Sequence, residues 1–225
     1  MERLHARPDE IDSWLASNPA HLILGLQTQP FNAVGYLLRH AAQHLPLVAE
    51  RLAKLFDDSS ILDMVAARLA STSPYEFVQL IEDLRSCDRD AASKALWARV
   101  ATPQHVPRFV AQTLQGSLSS LDFFLRKATA HRRKHFVELV WGELESPENM
   151  VKLVRVALYD SLHLFAKFVD YAAHVKRETL ATSLWQGIAA RKNRPQILVR
   201  ALNDGPQNLG TFLRLASEQG QGELV

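Results

Sequence analysis

The chain has 225 residues with 26 basic and 24 acidic side chains, which gives a formal net charge of +2. So small a charge excludes the strong positive field of proteins that bind nucleic acid or membranes by electrostatics alone. A single cysteine, Cys87, excludes an intrachain disulfide framework. No apolar run approaches the roughly 18 residues of a membrane span, and the first residues lack the apolar core of a secretory signal. We therefore expect a cytoplasmic protein.

The first predicted helix covers residues 9–16, where Trp14 and Leu15 are spaced for one apolar face. Arg3 and Arg7, with the acidic start of that helix, are expected to solvate one end of a stack of helices, because a terminal repeat has an uncovered outer side. Asn18-Pro19 predicts the start of a second helix, since proline at the first helical position lacks only a donor that would have no partner there.

Three tryptophans show how the chain is organised. Trp97, Trp141 and Trp185 are separated by 44 residues each (141−97 and 185−141). Residues 124–128 match residues 212–216 at a shift of two such periods. Self-similarity at this spacing is typical of helical repeat arrays. We expect the three tryptophans to be buried where neighbouring repeats meet, because apolar residues at helical spacing surround each of them.

The clearest repeat covers residues 133–176 and contains three predicted helices. The first helix carries Trp141, and Ser146-Pro147 supplies the N-cap and first residue of the second. Ser161 opens the third. The 44-residue shift places Pro103 at the position of Pro147.

The segment Ser73-Pro74 predicts another helix start, and Glu76 completes the Ser-x-x-Glu pattern of a capping box. Extending the pattern over the whole chain predicts an all-α fold, a right-handed α-solenoid of about five three-helix repeats in one domain. The repeats cover approximately residues 8–44, 45–88, 89–132, 133–176 and 177–219, followed by a polar tail at 220–225.

One column of equivalent positions alternates in charge. It reads Arg39, Glu82, Arg126, Asp170 and Arg214. Equivalent residues of adjacent repeats lie about 10 Å apart on one side of a stack. We therefore hypothesise a ladder of ion pairs between repeats that sets their register, and we include the column in the candidate binding surface.

Two short basic clusters complete that surface. Arg132, Arg133 and Lys134 lie between a third and a first helix, and Arg191, Lys192 and Arg194 lie between a first and a second helix. Such clusters indicate contacts with phosphate or with an acidic partner, or charges that are simply solvated in loops.

Patterns of catalytic chemistry are absent from the sequence. There is no phosphate-binding glycine loop, no nucleophile elbow and no Cys-x-x-Cys pair. His131 and His135 have the spacing of a helical metal pair, but the residues between them are all cationic, which disfavours zinc. His163 and His174 lie beside apolar stripes and are expected to be packed or surface histidines. We predict no metal, no cofactor and no enzymatic activity.

The repeat, with Pro147 at the second helix start and Trp141 near the end of the first helix, resembles armadillo and HEAT-type α-solenoids. The resemblance covers nearly the whole chain and concerns architecture and periodicity. The asparagine column by which armadillo proteins hold extended peptides is replaced here by the alternating charged column, which disfavours importin-like peptide binding. HEAT-like DNA glycosylases have a similar chain length, but their catalytic aspartate and aromatic pocket do not map onto positions of this sequence.

The expected function is a non-enzymatic scaffold that binds a protein or peptide on a curved repeat surface. Nucleic-acid binding through the basic clusters is the alternative, and strong salt dependence would distinguish it. A HEAT-like DNA-repair enzyme is the least favoured hypothesis.

Overall fold

The computed structural model describes residues 8–221 and 224, with residues 8, 9 and 11 described by their backbone alone. Within these residues the chain forms 15 α-helices and one 3-10 helix, and none of them lies in a strand. The predicted all-α class is confirmed for this part of the chain. The predicted polar cap at Arg3 and Arg7 lies outside the described residues, as do positions 222, 223 and 225 of the predicted tail.

The helices follow one another with short connections. They are α1 (Pro8–Ser17), α2 (Pro19–Thr28), α3 (Phe31–His44), α4 (Pro46–Asp57), α5 (Ser59–Leu69), α6 (Pro74–Ser86), α7 (Asp90–Val100), α8 (Val106–Thr113), α9 (Leu118–Ala130), α10 (Lys134–Leu144), α11 (Pro147–Tyr159), α12 (Leu162–His174), α13 (Glu178–Ala189), α14 (Arg194–Asp204) and α15 (Pro206–Glu218), with the 3-10 helix at Arg191–Asn193.

The helix starts recur with the period of the sequence. Helices α4, α7, α10 and α13 begin at residues 46, 90, 134 and 178, each 44 residues after the previous one. Helices α6, α9, α12 and α15 begin at 74, 118, 162 and 206, again 44 residues apart. The intervening helices are less regular. Pro103, predicted to open one of them, lies in a turn, because the Thr102 carbonyl accepts from the backbone N–H groups of His105 and Val106 and the helix begins at Val106.

Serine side chains cap three of the predicted helix starts. Ser73, Ser146 and Ser161 each accept a hydrogen bond from the backbone N–H three residues later, which satisfies a donor that the helix cannot. The capping box at Ser73 is half formed. The Glu76 carboxylate accepts from the Thr72 hydroxyl, whereas a complete box would engage the backbone N–H of Ser73.

The described residues divide into two compact bodies. The N-terminal body contains the described residues up to Phe109 together with His131–Phe136. Inside it α3 packs against α6 and α5 packs against α7. Its core contains an aromatic cluster in which the Phe77 ring lies 4.6 Å from Trp97 and 5.9 Å from Phe109 between ring centroids. Trp97 is 1% exposed, as the repeat pattern predicts.

The C-terminal body contains Val110–Ala130 and the described residues from Val137 onward. Helices α11 and α12 both pack against α13, and α12 also packs against α15. The Trp185 ring lies between Phe165, at 5.3 Å, and Phe212, at 5.8 Å between ring centroids. Trp141 and Trp185 are each 1% exposed, so the predicted burial of all three tryptophans is confirmed.

A helix long and apolar enough to cross a membrane is not found among the described residues.

Candidate binding surface

A groove of about 680 Å³ lies on the C-terminal body. We call it the α11 groove, because α11 forms its floor while α13, the 3-10 helix and the start of α14 form its other walls. Its lining residues are Pro147, Met150, Val151, Val154, Arg155, Leu158, Tyr159, Ser183, Gly187, Ala190, Lys192, Asn193 and Gln196.

The floor of the α11 groove is apolar and partly uncovered. Val151, Val154, Leu158 and Tyr159 recur on one side of α11 at helical spacing. Val151 is 63% exposed and Tyr159 is 68% exposed, so two large side chains that prefer burial face solvent there. An uncovered apolar stripe with polar neighbours is typical of an interaction site.

Small residues on α13 keep the opposite wall low. Gly187 allows a close approach, since a Cβ atom placed there would come within 2.8 Å of Cγ2 of Val154 and would displace that side chain. Ser183 and Ala190 lie four residues before and three residues after Gly187 on the same wall. The absence of bulk on α13 allows the two helices to approach closely and leaves the α11 side chains accessible from above.

The rim of the α11 groove is basic. Arg155 and Lys192 line it, and Arg191 is the exposed neighbour of Lys192. Within the described part of the chain these three cations form no ion pair, whereas the next cation on α11, Lys152, pairs with Glu148 at 2.6 Å. Lys192 of the predicted basic cluster therefore borders an apolar groove, and sequence reasoning did not connect the two.

The second predicted basic cluster lies on the N-terminal body. Arg132, Arg133 and Lys134 border a cleft of about 490 Å³ whose walls include Trp97 and Phe136. Arg132 adopts a left-handed backbone conformation (φ 57°), which turns the chain immediately before α10. The Arg133 guanidinium lies over the Trp97 ring at 6.0 Å from its centroid, so one of the three cations is held against the core.

His131 is held by two side chains of α6. Its Nε2 lies 3.0 Å from Glu82 Oε1, and its Nδ1 lies 3.2 Å from Nη1 of Arg85. Because a guanidinium only donates, Nδ1 is the acceptor in the contact with Arg85, and Nε2 faces the Glu82 carboxylate. Both ring nitrogens are thus used within the protein. A cluster of three or more metal-ligating side chains is not found among the residues that the structure describes.

Within the described residues, three members of the alternating column have their ion-pair contacts along their own helices. Arg126 pairs with Asp122 at 2.8 Å, Arg214 pairs with Glu218 at 2.6 Å, and His174 lies 3.5 Å from Asp170 and pairs with it when protonated; each partner is four residues away. The pKa of Arg126 is raised chiefly by its hydrogen bond to Asp122 and in smaller part by attraction to its column neighbour Asp170, so the ladder stays a prediction. Side chains four residues apart on a helix are about 6 Å apart at their Cβ atoms, closer than equivalent positions of neighbouring helices, which favours the local pairs.

At the start of the column, an ion pair does form between equivalent helices, but the acidic partner is one residue beyond the column position. Arg39 on α3 donates to the carboxylate of Asp83 on α6, next to Glu82. Asp83 is 3% exposed and also accepts from Gln79 at 3.0 Å. The guanidinium of Arg126, in contrast, lies 4.4 Å from the centroid of the Tyr171 ring. The expected partner was Asp170, the residue before Tyr171.

No protein-family model matches the chain, and no significant match was found either among curated proteins or among solved structures.

Proposed function

We propose that the chain is a right-handed α-solenoid of five three-helix repeats that acts as a non-enzymatic scaffold for protein binding. Two observations support the repeat architecture. Helix starts recur every 44 residues in two series of four, and equivalent hydrogen bonds recur with them. The carboxylate of Asp160 accepts from the backbone N–H of Leu118, and the carboxylate of Asp204 accepts from that of Leu162. Both pairs are 42 residues apart, and each member is 44 residues from its counterpart.

The α11 groove is the observation that carries the functional proposal. It combines an exposed apolar floor, at Val151 and Tyr159, with two cations, Arg155 and Lys192, that form no ion pair with any residue the structure describes. Apolar contact supplies most of the binding energy of such grooves, and charges on the rim select and orient the partner. The occupant that fits is a peptide segment of a protein that carries apolar side chains flanked by acidic ones.

Nucleic-acid binding is the second candidate, supported by the three successive cations at 132–134 that border one cleft. Phosphate contacts of this kind weaken steeply as salt rises, because binding releases condensed counterions. A protein segment held mainly by apolar contacts is much less sensitive to salt.

The test is a pull-down from native lysate at low and moderate salt, with nuclease treatment in parallel. The baits are the wild-type chain and a groove variant, Tyr159→Glu with Lys192→Glu. A matched control is Tyr36→Glu with Lys94→Glu, which changes the same residue types on the N-terminal body, where Tyr36 is 63% exposed. We expect a protein that survives nuclease and moderate salt on the wild type and the control but is lost from the groove variant. Recovery of nucleic acid alone, lost as salt rises, would refute the scaffold and favour the second candidate.

A further inference from the structure

Helix α14 exposes an apolar stripe on its outer side. The stripe, which we call the α14 face, consists of Pro195, Leu198, Val199 and Leu202, at the spacing of one face of a helix. Leu198 is 63% exposed, Val199 is 53% exposed and Leu202 is 76% exposed. None of the residues of α14 is fully buried. A helix with this pattern is stable in water when a second surface covers the stripe.

The equivalent face of α11 shows what covers such a stripe. Leu158 is the 44-residue counterpart of Leu202, and it is 6% exposed, compared with 76% for Leu202. The counterpart of Leu198 is Val154, which lies against Gly187 of α13. At these two positions the difference follows from α13, the first helix of the next predicted repeat, which packs on α11. The counterparts of Pro195 and Val199, which are Val151 and Arg155, stay exposed.

The N-terminal body contains the same packing. There α7 packs on α5, and the α5 positions equivalent to Leu198 and Leu202 are Ala66, 1% exposed, and Ala70, which follows α5 and is fully buried. In both bodies the first helix of one predicted repeat thus covers the second helix of the repeat before it. In the described part of the chain, no helix covers the α14 face in this way.

We propose that the α14 face binds an amphipathic helix of a partner protein, in the position that α13 holds on α11. This site rests on the repeat equivalence proposed above; it shares Lys192 with the rim of the α11 groove but uses a different apolar surface. The interior of the chain defines the chemistry of the partner helix. The partner helix presents an apolar stripe to Leu198 and Leu202 and a small residue at the point of closest approach. Val154, the counterpart of Leu198, is smaller than leucine, and a Cβ atom at Gly187 would already lie 2.8 Å from its Cγ2.

The basic residues near α14 indicate the charge of the partner helix. Exposed Arg191, Lys192 and Arg194 gather at the N-terminal end of α14. A partner helix with acidic side chains beside this cluster gains both attraction and faster association, whereas a basic helix is repelled. Helix-in-groove binding of this kind is anchored by side chains at spacings of three, four and seven residues.

The test uses a helix-stabilised, fluorescently labelled peptide of residues 177–190, whose sequence already fits the equivalent face of α11. Its binding to the full chain is measured by fluorescence anisotropy. We expect Leu198→Glu and Leu202→Glu each to weaken binding about tenfold or more. Tyr159→Glu, in the α11 groove, should leave the affinity within about twofold, and a peptide with Gly187→Leu should bind more weakly than the native one.

Three results would overturn the proposal. They are no binding to the wild-type chain, equal binding to the Leu202→Glu variant, and self-association of the wild-type chain that Leu202→Glu abolishes, which would assign the face to a second copy. Because both leucines are solvent-exposed, the variants are expected to keep the wild-type circular dichroism spectrum. Because Lys192 borders both sites, the single variants separate the two proposals: Tyr159→Glu tests the α11 groove and Leu202→Glu tests the α14 face.

Discussion

The carboxylate of Asp204, at the end of α14, accepts a hydrogen bond from the backbone N–H of Leu162 at 2.9 Å, 42 residues earlier in the chain. It also accepts from the Ser161 hydroxyl at 3.1 Å. The last residue of α14 therefore accepts hydrogen bonds from the start of α12, from its first backbone N–H and from the side chain of its N-cap. Asp12 does the same in the N-terminal body, where it is 5% exposed and accepts from the backbone N–H of Val48 at 2.8 Å. Buried aspartates thus connect helices that are distant in sequence.

Asp204→Ala should destabilise the protein by about 1–3 kcal/mol, because it leaves the N–H of Leu162 without an acceptor in a partly buried site. Asp204→Asn keeps an oxygen acceptor and should cost less. Urea unfolding followed by circular dichroism measures both changes. Equal stability of the alanine variant and the wild type would show that the contact contributes nothing.

Trp185→Ala should destabilise by about 3–5 kcal/mol, since it removes a fully buried indole from between Phe165 and Phe212. Trp185→Phe retains part of the packing and should lose less. Thermal and urea melts provide the comparison. A tryptophan that served mainly to contact a ligand would give a small loss of stability in both variants, contrary to this expectation.

Gly187→Ala should destabilise by about 1–3 kcal/mol, because the added Cβ would lie 2.8 Å from Val154 Cγ2 and force the two helices apart. Val154→Ala removes the obstructing methyl groups. The double variant should therefore recover part of the loss, which a double-mutant cycle of unfolding free energies measures. Additive effects of the two substitutions would contradict the proposed contact.

His163 makes the C-terminal body sensitive to acid. Burial lowers the pKa of its imidazole, and repulsion from Lys167 lowers that pKa further. Its buried Nδ1 has no hydrogen-bond partner. Because the unfolded chain binds the proton more readily, His163 reduces stability as the pH falls through the ordinary histidine pKa of 6.5 toward the lowered folded value.

His163→Gln should therefore lose less stability than the wild type between about pH 7.5 and about pH 5.5, measured by urea unfolding at both values. Lys167→Gln is the control, since it removes only the repelling cation; it should reduce the loss of stability less than His163→Gln does, because the imidazole stays buried. An unchanged pH dependence in His163→Gln would contradict the assignment.

The sequence predicts the helical class and several helix starts well, because both depend on local and periodic signals. Trp141 and Trp185 recur at one spacing and are buried, and Ser146-Pro147 carries a capping preference that acts within one turn. Pro103 shows where a prediction made by the 44-residue shift fails, because α8 begins at Val106. The turn around Thr102 follows from local hydrogen bonds that a 44-residue shift does not contain.

Side-chain pairing was predicted less well. The column containing Arg126 and Asp170 suggested pairing between repeats, but Asp122 and His174 lie closer along the same helices. The periodic Asp160 and Asp204 were missed, although their spacing of 44 residues was visible. The exposure of Leu202 could not be read from the sequence, because its counterpart Leu158 occupies the same column and is buried. Exposure depends on what packs outside the helix.

The repeat array is the claim on which the proposed architecture and the α14 face depend, and deletion of one period tests it most directly. Removing residues 133–176 takes out 44 residues. If the proposed array is correct, this deletion should preserve the register of the remaining helices, since each repeat of an array contacts only its neighbours. Removing residues 133–165 takes out three quarters of a period and breaks that register. We expect the first variant to keep the helical content per residue and the cooperative unfolding of the full chain, and the second to lose both. Equal loss in the two variants would contradict the array.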